Sequence, residues 1–193
     1  MKVLVACEYS GVVRDAFISR GHDATSCDLL PTDTPGPHIQ GDVREHLNDG
    51  WDLMVAHPPC TYLANSGARW IWDGQKVNEE RFSALLDAVE FFKTLLDAPI
   101  PKIAVENPIM LGAGKILIGQ RETQVIQPYH HGHPVTKATC LWLQSLPNLK
   151  ETNMVKPTRS FGHDLPPSDN RWKIRSTTFK GIAEAMADQW GTA

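Results

Sequence analysis

The residue types best suited to chemistry in this 193-residue chain are His57-Pro58-Pro59-Cys60, followed 46 positions later (106 − 60) by Glu106-Asn107-Pro108. Two consecutive prolines fix two φ angles and remove two amide hydrogens, so the turn is stiff and presents the next side chain in one direction. A thiol held this way suits nucleophilic catalysis, and a carboxyl at a second strand end suits general acid work. Glu8 stands after a short apolar run and Asp28 at the tip of a second strand. Each residue also has a plainer use: most cysteines are small buried hydrophobes, and a carboxylate after a strand is often a helix cap. Two other chemistries compete. His130, His131, His133 and Cys140 are types that bind zinc, although adjacent histidines on a strand point apart. Cys60 with His57 resembles a cysteine hydrolase pair, although such pairs usually meet from different elements.

These groups act together only if the chain delivers them to one place. Residues 2–7 form a short apolar run ending at Glu8-Tyr9-Ser10-Gly11. A helical pattern through Val12, Val13, Ala16 and Phe17 stops at Gly21, and residues 23–27 read as a second strand with Asp28 at its tip. Strand, glycine turn, helix, strand and acidic residue in that order open a nucleotide-binding α/β unit. Residues 29–38 carry three prolines and read as loop, and residues 51–56 read as a buried strand delivering His57–Cys60 to its carboxyl end. Open parallel sheets place their ligands there. Residues 61–74 are aromatic and glycine-bearing, a loop over the site. Asn78 reads as an N-cap with Glu79 and Glu80 in the first turn. Phe82, Leu85, Leu86, Val89, Phe92 and Leu96 then make a core stripe at helical spacing, closed by Pro99. Residues 103–105 are a further strand, and the alternation is strand-like at 115–119, 123–127 and 139–143. Residues 145–172 read as extended, and 179–190 as a last helix with Ile182, Met186 and Trp190 on one face. With no repeat and no linker between two cores, one α/β domain over residues 1–193 is expected.

Composition sets outer bounds. Hydrophobic residues at 41% and charged residues at 21% are ordinary for a globular protein and exclude disorder or coiled coil. Nineteen Lys and Arg against 22 Asp and Glu, net −3, exclude a protein held on nucleic acid by bulk positive charge, but not one with a local basic groove. Such a segment exists: Lys156, Arg159, Arg171, Lys173, Arg175 and Lys180 against Asp164 and Asp169 leave a local +4. It suits a nucleic-acid backbone or the phosphates of a free nucleotide, or is simply a solvated basic stretch. Cys7, Cys27, Cys60 and Cys140 include no C-x-x-C pair, so neither a disulfide framework nor a zinc ribbon is expected, and a reducing, cytoplasmic setting is. Leu4-Val5-Ala6-Cys7 has the look of a lipoprotein cleavage site, but its apolar run falls short of the ~7–15 residues of a signal's hydrophobic region. No apolar run approaches the ~20 residues of a membrane span.

In order, these motifs resemble the carbon-5 cytosine-specific DNA methyltransferase family. Its G-P-P-C-Q loop corresponds to His57-Pro58-Pro59-Cys60-Thr61, its E-N-V to Glu106-Asn107-Pro108, its second-strand acid to Asp28 and its third-strand glycine-aspartate to Gly41-Asp42. Downstream, residues 132–139 resemble G-V-P-Q-x-R-x-R, and residues 181–186 resemble the closing helix that folds back beside the cofactor strand. The resemblance implies an α/β, doubly wound, mostly parallel sheet, the Rossmann-like S-adenosylmethionine-dependent methyltransferase fold. It implies methyl transfer from S-adenosyl-L-methionine to carbon 5 of cytosine through a covalent Cys60 adduct, with Glu106 contacting ring nitrogen 3 and the exocyclic amine. Glu8, Gly11, Asp28, Asp42 and Pro58 would bind the cofactor: Asp28 the ribose hydroxyls, Asp42 the adenine amine, and the backbone of residues 8–11 the methionine. Asn107, Lys137, Thr139, Arg171 and Arg175 would bind substrate, and no metal is implied.

The chain departs from the family in three places. Of the F-x-G-x-G-G glycines only Gly11 remains, Q-x-R-x-R is reduced to Lys137 and Thr139, and residues 144–180 replace a large target-recognition region. Flipping a base from duplex DNA needs wedges and phosphate clamps. A pyrimidine nucleotide, single-stranded nucleic acid, or DNA presented by a separate DNA-targeting partner is therefore the expected substrate. The alternative is a methyltransferase-like protein that binds cofactor or nucleic acid without turnover.

Overall fold

The computed structural model describes residues 1–161 and 168–192; Asp164 of the basic segment lies outside them. Seven strands form the main sheet: β1 (Lys2–Ala6), β2 (Asp23–Asp28), β3 (His38–Gln40), β4 (Leu53–Ala56), β5 (Lys102–Pro108), β6 (Gln124–Ile126) and β7 (Thr139–Gln144). Their order in space is β3-β2-β1-β4-β5-β7-β6. The first five are mutually parallel, and β7 runs antiparallel to both its neighbours. The helices are α1 (Val12–Ile18), α2 (Glu79–Leu96), α3 (Gly112–Ile118), α4 (Arg171–Ser176) and α5 (Lys180–Trp190).

Alternation along the strands fills both faces, because successive side chains point to opposite sides. Leu4, Ala6, Met54, Ala56, Ile103 and Val105 meet α2 through Leu85, Val89, Phe92, Leu95 and Leu96. Val3, Val5, Leu53, Val55 and Ala104 meet Val13 and Phe17 of α1 and Ile182, Met186 and Trp190 of α5. This is the expected doubly wound, mostly parallel α/β sheet, with the closing helix lying beside α1 on the β1 face. Asn78 caps α2 as expected, its side-chain oxygen accepting the Arg81 N–H at 3.0 Å. Two stripe positions differ: Phe82 and Leu86 are exposed, and Leu95 is buried instead.

Residues 115–119, expected as strand, belong to helix α3. Its end is set by Gly119, whose φ of +77° is the left-handed conformation glycine adopts without a steric cost. Alternation over five residues cannot be told from one turn of a short helix. Of residues 144–180, expected as an extended basic segment, the described part contains α4 as well as the short strand Arg159–Ser160, which pairs with Val135–Thr136.

Register decides what the sheet presents. Ala6 is level with both Cys27 and Ala56, and Ala56 with Val105. One residue further on, Asp28 at the end of β2, Cys7 and His57 just past β1 and β4, and Glu106 within β5 therefore stand side by side at one level. The closing helix is fixed to that architecture at Gly181, whose N–H donates to His133 Nε2 at 3.0 Å. A Cβ on Gly181 would lie 2.0 Å from the His131 carbonyl oxygen. Gly181→Ala must push α5 away from this turn, and a loss of about 1–3 kcal/mol or more is expected. Urea unfolding of the two proteins measures it.

Candidate active site at the carboxyl ends of the strands

The strand order reverses between β1 and β4, the switch point at which doubly wound sheets bind ligands. Immediately after β4, the His57 N–H donates to the Ala6 carbonyl at 2.9 Å, and the two prolines carry the chain outward to Cys60. The Cys60 carbonyl accepts the N–H groups of Leu63 (3.1 Å) and Ala64 (2.8 Å), closing a tight turn. The next residues are stitched to the chain beyond β5: Asn65 N–H donates to Ile109 O at 2.8 Å and Leu111 N–H to Leu63 O at 2.9 Å. The cysteine turn is thus anchored to the same segment that carries Glu106.

Charge ties the two together. Burial raises the Cys60 thiol above the ordinary range and the Glu106 carboxylate raises it further, while Lys137 and Arg175 pull it back. Glu106 is pushed up by burial, but its hydrogen bond to His57, then the charges of His57 and Lys137, outweigh that and hold it below the ordinary carboxylate range. Nδ1 of His57 lies 3.0 Å from Glu106 Oε2, so the imidazole serves the carboxylate and not the thiol, against the hydrolase pairing. The other cysteines are less suited to reaction. Cys27 and Cys140 are buried with thiols pushed up to about 11, and Cys7 is raised further by desolvation and then by Asp28. Only the thiolate reacts with alkylating agents. Iodoacetamide labelling of Cys60, followed by mass spectrometry, is accordingly expected to keep rising through pH 9. Its midpoint should fall to lower pH in Glu106→Gln, because the neighbouring negative charge is gone.

A cavity of about 250 Å³ borders the proline turn, lined by Cys7, Asp28, Leu29, Asp42, Pro59 and Phe91 among others. Two carboxylates with apolar Leu29, Pro59 and Phe91 fit a nucleoside, which offers hydroxyls and an amine as donors and a flat ring. Asp28 Oδ1 accepts the Leu30 N–H at 2.9 Å. Asp42 is held below its ordinary pKa by Arg44, which donates to both its oxygens. Cys7 closes the floor with a φ of +57°, a left-handed conformation that costs a non-glycine residue about 1–2 kcal/mol.

Three expected cofactor residues are placed differently. Glu8 does not line the cavity; it is buried and caps α1, accepting the N–H groups of Val13 (2.7 Å) and Arg14 (3.2 Å). Carboxylates are favoured at a helix N-terminus, where amide hydrogens lack partners. Gly11, with φ +76°, is covered: a Cβ there would meet Thr34 Oγ1 at 2.2 Å and the Arg14 guanidinium at 2.5 Å. Pro58 is buried, and it is Pro59 that borders the cavity.

The expected substrate residues also divide. Asn107 is fully buried, its amide donating to the Pro108 carbonyl at 2.7 Å, so it supports the strand end instead of facing a substrate. Thr139 is buried and donates to the Lys137 carbonyl at 3.2 Å. Lys137 and Arg175 each lower the Cys60 thiol through charge, and the Lys137 ammonium donates to the Arg175 carbonyl at 2.6 Å. Arg171 opens the same short helix, which docks over residue 9: Tyr9 packs on Trp172 at 5.7 Å, its hydroxyl lies 2.9 Å from Ser176 Oγ, and Lys173 pairs with Asp33 at 3.0 Å. Beyond Cys60, Trp70 and Trp72 are exposed, with Arg69 stacked on Trp70 at 4.5 Å.

The zinc reading finds its residues dispersed: His131 bonds Thr152, His133 accepts from Gly181 and Cys140 is buried in β7. Among the described residues no three His, Cys, Asp or Glu side chains form a metal cluster, and no helix is long and apolar enough to cross a membrane. A larger groove of about 610 Å³ along α3 lies away from these strand ends. Residue reasoning missed His57 as a partner of Glu106, and Pro59 and Phe91 as cavity walls. The position of His57 directly before the two prolines was the available signal.

Fold and site together define a doubly wound α/β protein with a thiol and a carboxylate at its switch point. No protein-family model and no curated protein matches the chain. Among solved structures it is similar to a protein assigned as a DNA modification methyltransferase encoded within an E. coli prophage, at 12% identity and a TM-score of 0.45, over 85% of this chain and 55% of that one. It is also similar to the Entamoeba histolytica methyltransferase EhMeth, at 14% identity and a TM-score of 0.46, over 87% of this chain and 60% of that one. The chain spans less than two thirds of the length of either.

Proposed function

We propose that residues 1–193 form a single methyltransferase-like catalytic domain that transfers a methyl group from S-adenosyl-L-methionine to carbon 5 of cytosine, in DNA or a free pyrimidine nucleotide. The observation that carries this reading is the adjacency, at the switch point, of the proline turn before Cys60 to a cavity edged by Asp28 and Asp42, with Pro59 in its wall. In it, the Cys60 thiolate adds to carbon 6 of the ring, and Glu106 gives a proton to ring nitrogen 3 as electron density arrives there. Proton transfer of this kind is worth ~10²–10⁴-fold. Asp28 would accept from the ribose hydroxyls and Asp42 from the adenine amine, while Pro59 and Phe91 offer apolar faces. The bound cofactor supplies an electrophilic methyl group on its sulfonium. Lys137 and Arg175 favour the thiolate and suit a phosphate-bearing substrate, whether free or presented by a separate DNA-targeting partner.

The test is a transfer assay with labelled S-adenosylmethionine across cytidine and uridine nucleotides, single-stranded DNA, duplex DNA and RNA. Label in a cytosine-containing substrate is expected, and a 5-fluorocytosine version should trap an adduct on Cys60. An adduct mapped to Cys140 would overturn the site. A second reading, binding without turnover, is favoured by one observation: Gly11 is packed beneath Thr34 and Arg14, where a cofactor's methionine end would need the backbone. It predicts calorimetric binding of the cofactor with no label transferred to any pyrimidine.

A further inference from the structure

We propose that His57 is a positioning residue for Glu106: its ring N–H holds one carboxylate oxygen and leaves the other to face the substrate base. The inference rests on the methyl-transfer reading and adds a residue to it, since the motif that reading uses has glycine at this position.

The geometry restricts the pair to one arrangement. An ionised carboxylate has only lone pairs to offer, so the hydrogen in the 3.0 Å contact between His57 Nδ1 and Glu106 Oε2 belongs to the imidazole. The His57 backbone is tied to Ala6 and is followed by Pro58, which confines a preceding residue to extended conformations. The side chain is only 9% exposed, against 19% for Glu106. Its Nε2 is buried and has no hydrogen-bond partner among the described residues. Glu106 is thus the ring's one polar contact there, and no competing bond draws the imidazole elsewhere.

The other charged and titratable groups around Glu106 do not take this part. Lys137, from the chain before β7, lowers the carboxyl through charge, but its ammonium donates to the Arg175 carbonyl and lies 5.7 Å from the Phe179 ring. Cys60 faces Glu106 from the proline turn, with Arg175 of α4 acting on that thiol. Cys140, from β7, is buried and feels Glu106 only weakly behind Glu122 and Lys115.

The chemical consequence follows from the electron flow. As the thiolate sulfur bonds to carbon 6, the C5=C6 π pair moves into the C4–C5 bond and the C4=N3 pair moves onto nitrogen 3. Glu106 acts from its protonated form, which takes up through solvent the proton that the Cys60 thiol gives up: nitrogen 3 receives that proton from Oε1, and the O–H electron pair stays on the carboxylate. His57 Nδ1–H, already on Oε2, stabilises that new charge. The same hydrogen bond makes Glu106 the stronger acid and fixes which oxygen is free.

The test uses the intact chain with ¹³C-labelled glutamate, following the Glu106 carboxyl by NMR against pH in wild type, His57→Ala and His57→Asn. Removing the donor should move the Glu106 midpoint upward by roughly one pH unit or more, and Asn, which keeps an N–H near the Nδ1 position, should restore most of the shift. With substrate, His57→Ala should lower kcat about 10- to 100-fold, less than loss of the acid itself would. KM for the cofactor should stay unchanged. A Glu106 titration that is the same in all three proteins overturns the proposal, as does His57→Asn behaving like His57→Ala. The titration needs no substrate. A shifted midpoint without methyl transfer to any pyrimidine therefore supports the pairing while removing the reaction proposed for it.

Discussion

Cys60→Ser is expected to reduce methyl transfer at least about a thousandfold, roughly 4 kcal/mol in the barrier, with cofactor affinity measured by calorimetry left within twofold. A serine hydroxyl fits the space but is a far weaker nucleophile unless a base activates it. The imidazole of His57 is engaged with Glu106 at 3.0 Å and does not serve residue 60. The thiol sits in a half-buried turn with Glu106 raising its pKa and Lys137 and Arg175 lowering it. Burial is the first cause of the rise and Glu106 the second, so the thiol is mostly protonated near neutral pH. The variant's activity should not recover at high pH, because a serine hydroxyl without a base does not form the oxyanion there. Unchanged transfer by Cys60→Ser would sink the nucleophile assignment and leave Glu106 and the cavity to be explained by binding alone.

The second large effect concerns stability. Arg14→Leu is expected to cost about 3–5 kcal/mol, out of the roughly 5–15 kcal/mol that holds an ordinary protein folded. Arg14 is fully buried, yet its guanidinium donates to Ser26 Oγ (3.3 Å), Thr32 Oγ1 (3.2 Å), Thr34 Oγ1 (2.9 Å), the Thr34 carbonyl (3.2 Å) and the Pro35 carbonyl (3.3 Å). It thereby joins α1, β2 and the loop between β2 and β3. Its ion pair with Asp15 contributes less, because that carboxylate is 47% exposed and exposed pairs are worth about 0–1 kcal/mol. The hydrogen bonds decide the effect, since leucine strips a donor from buried Ser26 and from four part-buried acceptor contacts at once. Arg14→Lys should fall between, keeping the charge and losing the planar fork. Guanidinium unfolding measures both. Asp28 precedes the same loop, so ligand affinity in the 250 Å³ cavity should weaken in Arg14→Leu even at temperatures where the variant is folded.

Sequence alone was enough for the parts governed by local rules. Apolar runs with polar ends marked β1, β2, β4 and β5 because a strand buried on both faces admits little else. Asn78 signalled its helix through one side-chain cap, and the two prolines announced a rigid turn before Cys60. Short elements were harder to read: the strand-like residues of α3 and the exposed Phe82 and Leu86 of α2 show a packing surface overriding a pattern of a few residues. The ordered resemblance then named a reaction for those strand ends.

Which polar residue serves which purpose was decided only in three dimensions. Glu8 and Glu106 each follow an apolar strand, yet one is spent on the amide hydrogens of α1 and the other is left at the site with His57 as its partner. Asn107 reads like a substrate ligand but is turned into the packing between β5 and β7. Pro59, and not Pro58, meets the cavity with Phe91 from a helix more than thirty residues away in the chain. A strand's side-chain alternation tells which residues share a face. Which of them still has an unsatisfied hydrogen bond or charge depends on what neighbouring strands place opposite, and that is set by register across the sheet. His57 beside Glu106 is the clearest case, because their chain separation carries no signal and their closeness comes entirely from β4 lying parallel to β5 with Ala56 level with Val105.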